Sequence, residues 1–218
     1  MISWAGIVFI AFVVLAVINL IGLHKGNEKT DRCTKPFLMP LLALAYWFAT
    51  RGSENFELYL VIALACGFLG DAFLLGTSDK LFTCGLLAFL AGHIFYILLF
   101  MGQTELSAVA PLWRILPVVL YVLLLVLIAK KLYPSLGKKD KPGVSVYMAA
   151  ILVMSYAALL FAVSGHSWFP FAGSLLFVAS DTMLAFQNFK FRSTPFSRVA
   201  IMTTYLLAQT FISFGFVG

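Results

Sequence analysis

Eight apolar runs of the length needed to cross a bilayer follow one another along this chain, at about residues 2–22, 36–49, 58–76, 81–101, 113–129, 144–163, 168–187 and 199–217. A membrane-crossing helix needs about 20 mostly apolar residues, and fewer where other helices cover it. The runs are apolar all round, whereas barrel strands alternate over about ten residues, so a β-barrel is excluded. The connectors are short and hold the turn residues and the charge. None of them is long enough to fold alone. The expectation is an all-α, polytopic membrane protein of eight transmembrane helices, with residues 1–218 forming a single integral membrane domain.

Composition agrees. Of the 218 residues 62% are hydrophobic and 11% charged, against about 25% charged in a soluble domain. So little charge cannot clothe a soluble fold of this size. A net charge of +6 therefore signals the membrane surface, and no nucleic-acid partner is expected. The first run lacks the basic segment and the cleavage motif of a secretory signal and reads as a retained helix. Cys33, Cys66 and Cys84 have no spacing typical of a metal site or disulfide framework and read as small apolar filler.

Lys and Arg are unevenly distributed. The first, third, fifth and seventh connectors hold thirteen of the fifteen, and the even-numbered ones hold two. The positive-inside rule then puts both termini on the non-cytoplasmic side of what is expected to be a bacterial inner membrane. That topology brings Trp4, Trp47, Trp113 and Trp168 to one interface, where amphipathic rings prefer to sit.

Two of the nine acidic residues do not belong to this pattern. Asp71, in CGFLGDAFLLG, and Asp181, in LLFVASDTMLAF, lie inside apolar runs. A charged group at mid-bilayer costs about 2.5–3.5 kcal/mol even on lenient insertion scales, so such residues mark ion or proton paths and catalytic sites. They belong to the third and seventh runs, which point the same way, and each lies five or six residues before the end of its run. Each follows a small residue, Gly70 or Ser180. Lys35-Pro36 and Lys141-Pro142 stand at the heads of the second and sixth runs, offsets that suggest two four-helix halves, a 4+4 pseudo-repeat. If the two aspartates face each other, both cannot carry charge cheaply, and a pair sharing one proton supplies a general acid and a general base together. The site is expected to open toward the cytoplasm.

Other polar residues are placed to join them. His93 and Tyr96 lie in the fourth run, Asn19 near the end of the first, and Tyr205 and Gln209 share a face of the eighth. Asn188 closes the seventh run, and Lys35, Lys190 and Arg192 gather at the expected cytoplasmic mouth, where a phosphate would be held. A zinc site is disfavoured: there is no HExxH, and His93 is the one intramembrane histidine beside His24 and His166.

At these residues the chain resembles the YhhN family, the lysoplasmalogenases. The resemblance rests on TKPFLMPLL, GDAFLL around Asp71, GHIFYI around His93 and GSLLFVASDTMLAFQNF around Asp181, in that order and across the whole chain. The last motif ends in Gln187-Asn188-Phe189, where an LAxNRF-like ending would be more usual. The resemblance implies hydrolysis of the vinyl ether bond of a lysoplasmalogen, giving a fatty aldehyde and glycerophosphoethanolamine or glycerophosphocholine. It implies that Asp71 and Asp181 are the catalytic pair, that the partner is a lysophospholipid within the bilayer, and that no metal or organic cofactor is required. The residues alone leave open another lysophospholipid hydrolase on the same scaffold and a proton-coupled transporter.

Overall fold

The computed structural model describes residues 3–217. Among the described residues there are eight α-helices and no strand: α1 (Trp4–His24), α2 (Glu28–Thr50), α3 (Leu58–Leu74), α4 (Asp79–Gln103), α5 (Pro111–Leu132), α6 (Asp140–Val163), α7 (Phe169–Phe189) and α8 (Pro195–Phe214). By length and apolar character α1, α4, α6, α7 and α5 with its 3-10 continuation to Ser135 can each cross a membrane. Helix α3 is shorter, at 17 residues. Helices α2 and α8 are more polar, α2 through Glu28, Lys29, Asp31, Arg32 and Lys35, and α8 through its Thr, Ser and Gln residues.

Local chemistry sets the helix starts. The Ser3 hydroxyl accepts from Gly6 N–H at the head of α1, and Ser78 accepts from Leu81 N–H at the head of α4. Thr194 and Ser197 form a reciprocal capping box on α8. Helix α2 begins eight residues earlier than the apolar pattern indicates. The Asn27 side chain accepts from the Lys29 and Thr30 N–H groups, and Glu28 and Asp31 complement the positive end of the helix dipole. Gly26 takes φ +67°, a left-handed conformation, and so keeps the α1–α2 turn to three residues. Lys35-Pro36 consequently lies within α2 and does not stand at its entrance, which removes that correspondence with Lys141-Pro142.

Neighbouring helices close a circuit, α1 on α2, α2 on α3, α3 on α4, α4 on α6, α6 on α7, α7 on α8 and α8 back on α1. Helix α5 stands outside it against α6 and α7, burying only Pro117 and Leu132. The interior is aromatic, with Tyr96, Phe100, Phe161 and Phe177 among the largest fully buried side chains. Trp4 stacks on Phe48, which also touches Trp47. Trp113 and Trp168 stand at the starts of α5 and α7, on the same side of an alternating bundle.

Candidate active site

The two intramembrane carboxylates sit in separate polar clusters inside the circuit, and no hydrogen bond or ion pair joins them. Asp71 is buried on α3; Lys35 Nζ from α2 lies 3.4 Å from its Oδ1, and the Tyr205 hydroxyl from α8 donates to its Oδ2 at 3.0 Å. Asp181 on α7 accepts from the Tyr147 hydroxyl of α6, and His93 Nε2 of α4 lies 3.4 Å from the same Oδ2 and 3.2 Å from the Tyr147 oxygen. The Phe177 ring stands between the clusters, edge to face with His93 at 4.9 Å and with Tyr205 at 5.5 Å between centroids. Measured along their helices the aspartates differ, since Asp71 is three residues from the end of α3 and Asp181 eight from the end of α7. At 1.5 Å per residue these are about 4.5 and 12 Å.

Small residues make room for this arrangement. A Cβ on Gly67 would lie 3.0 Å from the Tyr205 hydroxyl and 3.2 Å from Gln209 Nε2; the Tyr96 hydroxyl donates to Gln209 Oε1 at 2.5 Å. Tyr96, Gln209 and Tyr205 thus form the polar surroundings of Asp71. A Cβ on Gly70 would strike the Phe89 ring, and the Ser180 hydroxyl bonds to the Ile201 carbonyl. These are close helix approaches of the kind small residues permit in membranes.

A cavity of about 490 Å³ opens at this end of the bundle, lined by Asp31, Lys35, Asp79, Gln187, Asn188 and Arg198 among others. A narrow crevice of about 30 Å³ adjoins it, with Asp181 and Tyr147 on a wall otherwise built from residues such as Ile128, Val144, Met148 and Ile151. Phe82, Leu184, Asn188 and Phe189 border both spaces. A polar mouth thus adjoins a narrow, mostly apolar crevice with a carboxylate at its side. The carboxyl groups of Asp71 and Asp181 can transfer protons, and Lys35 offsets the charge of the first.

Two sequence candidates lie elsewhere. Asn19 is fully buried, and its Nδ2 donates to Asp31 Oδ1 at 2.9 Å and Thr34 Oγ1 at 2.8 Å, tying α1 to α2. Lys190 Nζ donates to the Lys131 carbonyl at 3.0 Å and rests over the Phe186 and Phe191 rings, away from the cavity wall. Two others come from outside the sequence candidates. Tyr147 is hidden in an apolar run; its signal is that an intramembrane hydroxyl must find a partner. Arg198, which pairs with Asp31 at 3.7 Å, is marked only by facing the same mouth as Lys35. Among the described residues no three His, Cys, Asp or Glu side chains are grouped to hold a metal ion.

The model of the YhhN family matches residues 30–216. The chain belongs to the YhhN family. The curated protein named Lysoplasmalogenase TMEM86A from Homo sapiens is 30% identical over 188 residues, which cover 84% of this chain and 75% of that protein. Its Bos taurus counterpart is 31% identical over the same shares, and Lysoplasmalogenase TMEM86B from Sus scrofa is 31% identical over 80% of this chain and 71% of its own length. No solved structure matches. The family match takes in both aspartates and every residue of the two clusters.

Proposed function

We propose that this YhhN-family protein is a lysoplasmalogenase, with Asp181 as its acid–base group and Asp71 as the second carboxylate that supports it. The observation that carries the reading is the placing of Asp181 in the wall of a narrow apolar crevice that adjoins a charged mouth. The relatives named lysoplasmalogenase over most of the chain support it.

The chemistry follows from the groups present. A protonated carboxyl of Asp181 gives its proton to the β-carbon of the vinyl ether, leaving an oxocarbenium ion. The Asp181 carboxylate then takes a proton from water as the water adds to the cation. The resulting hemiacetal breaks its C–O bond, releasing a fatty aldehyde and the glycerophospho-alcohol. Acid, cation stabiliser and water activation are the parts a paired-carboxylate glycosidase also uses. His93 and the Tyr147 hydroxyl fix the reacting carboxyl, and Asp71 holds Lys35 at the mouth while placing a second negative charge beyond Phe177. The cytoplasm-facing mouth, which the Lys and Arg distribution supports, admits water and the substrate head.

The test supplies purified protein in lipid with a vinyl ether lysolipid and its ester analogue side by side. Fatty aldehyde from the first, without fatty acid from the second, is the expected result. Fatty acid release alone would make the protein an ester-cleaving lysophospholipase and overturn the reading.

A further inference from the structure

The mouth cavity carries a charge arrangement that hydrolysis of a vinyl ether does not itself require. Its wall presents two cations, Lys35 and Arg198, and two carboxylates, Asp31 and Asp79. Lys35 is engaged by Asp71, and Arg198 by Asp31 in a loose pair at 3.7 Å with both side chains partly exposed. Asp79, in the first turn of α4 after the Ser78 cap, has no ion-pair or hydrogen-bond partner for its carboxylate among the described residues. One unpaired carboxylate and one loosely held guanidinium thus face a single cavity of about 490 Å³ from α4 and α8.

Resting on the lysoplasmalogenase reading, we infer that this cavity is a headgroup subsite selecting a primary-ammonium glycerophospholipid, in which Arg198 takes the phosphate and Asp79 the ammonium. A guanidinium presents a planar fork of N–H donors that matches phosphate oxygens, and it can leave a partner 3.7 Å away at little cost. A primary ammonium brings N–H donors that the Asp79 carboxylate and the Asn188 side-chain oxygen, both on the cavity wall, can accept, the Gln187 oxygen being held by the Ser197 hydroxyl. A quaternary ammonium has no N–H and is bound through aromatic faces. The cavity's aromatic pair, Phe82 and Phe189, is instead packed edge to face on itself at 6.0 Å. Ethanolamine-type heads are therefore favoured over choline-type heads and over a bare phosphate.

The experiment uses three lysoplasmalogens with one alkenyl chain and different heads, ethanolamine, choline and phosphate alone. The ethanolamine lipid should show the highest kcat/KM. Asp79→Asn should lower its preference over the bare phosphate about tenfold, the worth of one charge-assisted hydrogen bond, and Asp79→Glu should keep most of it. A weakened α4 N-terminus acts on all three lipids alike and leaves that ratio unmoved. A ratio unchanged in Asp79→Asn, or choline accepted as well as ethanolamine, overturns the subsite. Thermal stabilisation by soluble glycerophosphoethanolamine against glycerol 3-phosphate reads the subsite without turnover. If no lysoplasmalogen yields aldehyde, the catalytic reading fails; Asp79-dependent stabilisation by the ethanolamine compound still supports the subsite, and equal stabilisation by both overturns it.

Discussion

Asp71 and Asp181 stand 110 residues apart, each on the third helix of its half of the chain. Each meets one group from the helix before its own, Lys35 on α2 for Asp71 and Tyr147 on α6 for Asp181. Each meets another from the last helix of the opposite half, Tyr205 on α8 or His93 on α4. Lys35 and Tyr147 are 112 residues apart, as are His93 and Tyr205. The two clusters thus draw on helices in corresponding order, one station having a lysine and a tyrosine and the other a tyrosine and a histidine. Asp181→Asn should reduce aldehyde release at least about 100-fold, the range of one acid–base group, and Asp71→Asn, which frees Lys35 and removes the supporting charge, should lower it as well. Circular dichroism and gel filtration should show the fold intact. Turnover retained in both variants would sink the mechanism.

The Lys35–Asp71 pair makes a second prediction. Removing one partner of a buried ion pair strands the other charge, at about 3–5 kcal/mol when both are fully buried. Lys35 is 16% exposed, so Lys35→Met should cost somewhat less than that. The double variant Lys35→Met/Asp71→Asn, which leaves no stranded charge, should recover most of the melting temperature while activity stays low. Lys190, bonded to the Lys131 carbonyl outside the cavity, is the contrast. Lys190→Ala should keep activity within about twofold, the scale of a screened surface charge.

What the sequence made legible and what it hid divide along physical lines. The helical membrane-protein character and the two aspartates within apolar runs are signals of composition against a bilayer, and each is local. The head of α2 was hidden because Glu28 to Lys35 is as charged as a connector, yet its Asn27 cap and Asn19's bonds to Asp31 and Thr34 make it helix. The exclusion of α5 from the circuit was hidden as well, since a helix apolar all round gives no face to read. Tyr147 was illegible for a related reason: in an apolar run a tyrosine reads as filler until its hydroxyl is seen to meet Asp181.

Tyr147 is therefore a separate test. Phenylalanine keeps the ring that packs edge to face on His93 and removes only the hydroxyl that donates to Asp181. Tyr147→Phe should lower kcat about tenfold with KM little changed, and stability should fall by no more than about 1.5 kcal/mol, one hydrogen bond. A rise in KM at constant kcat would assign the hydroxyl to substrate binding.

The packing of α7 on α8 turns on Gly173. An added Cβ there would lie 2.7 Å from the Ala208 carbonyl oxygen and 3.0 Å from the Ile212 nitrogen, and backbone cannot swing aside. Gly173→Ala should cost about 1–3 kcal/mol, the usual toll of overpacking. Gly143, exposed on α6, has open space around the same position. Gly143→Ala should be neutral or gain up to about 1 kcal/mol of helix propensity. Thermal unfolding of the two variants in one detergent compares them, and equal melting temperatures would mean that α7 and α8 have room to separate.

The crevice beside Asp181 gives the last prediction. Its volume is about 30 Å³, too small for an alkenyl chain, so a chain must part the side chains that line it. The outer wall includes Ile128 of α5, half-buried on the helix that stands outside the circuit. A helix held by so little buried surface is the one that yields at least cost. Ile128→Trp places an indole where the chain must pass and leaves Asp181, His93 and Tyr147 unsubstituted. The ratio of kcat/KM for a long alkenyl chain to that for a chain of a few carbons should fall at least about tenfold, the low end of what one displaced methylene is worth. A ratio that does not move would put the chain between other helices, and would leave the crevice as a path for water alone.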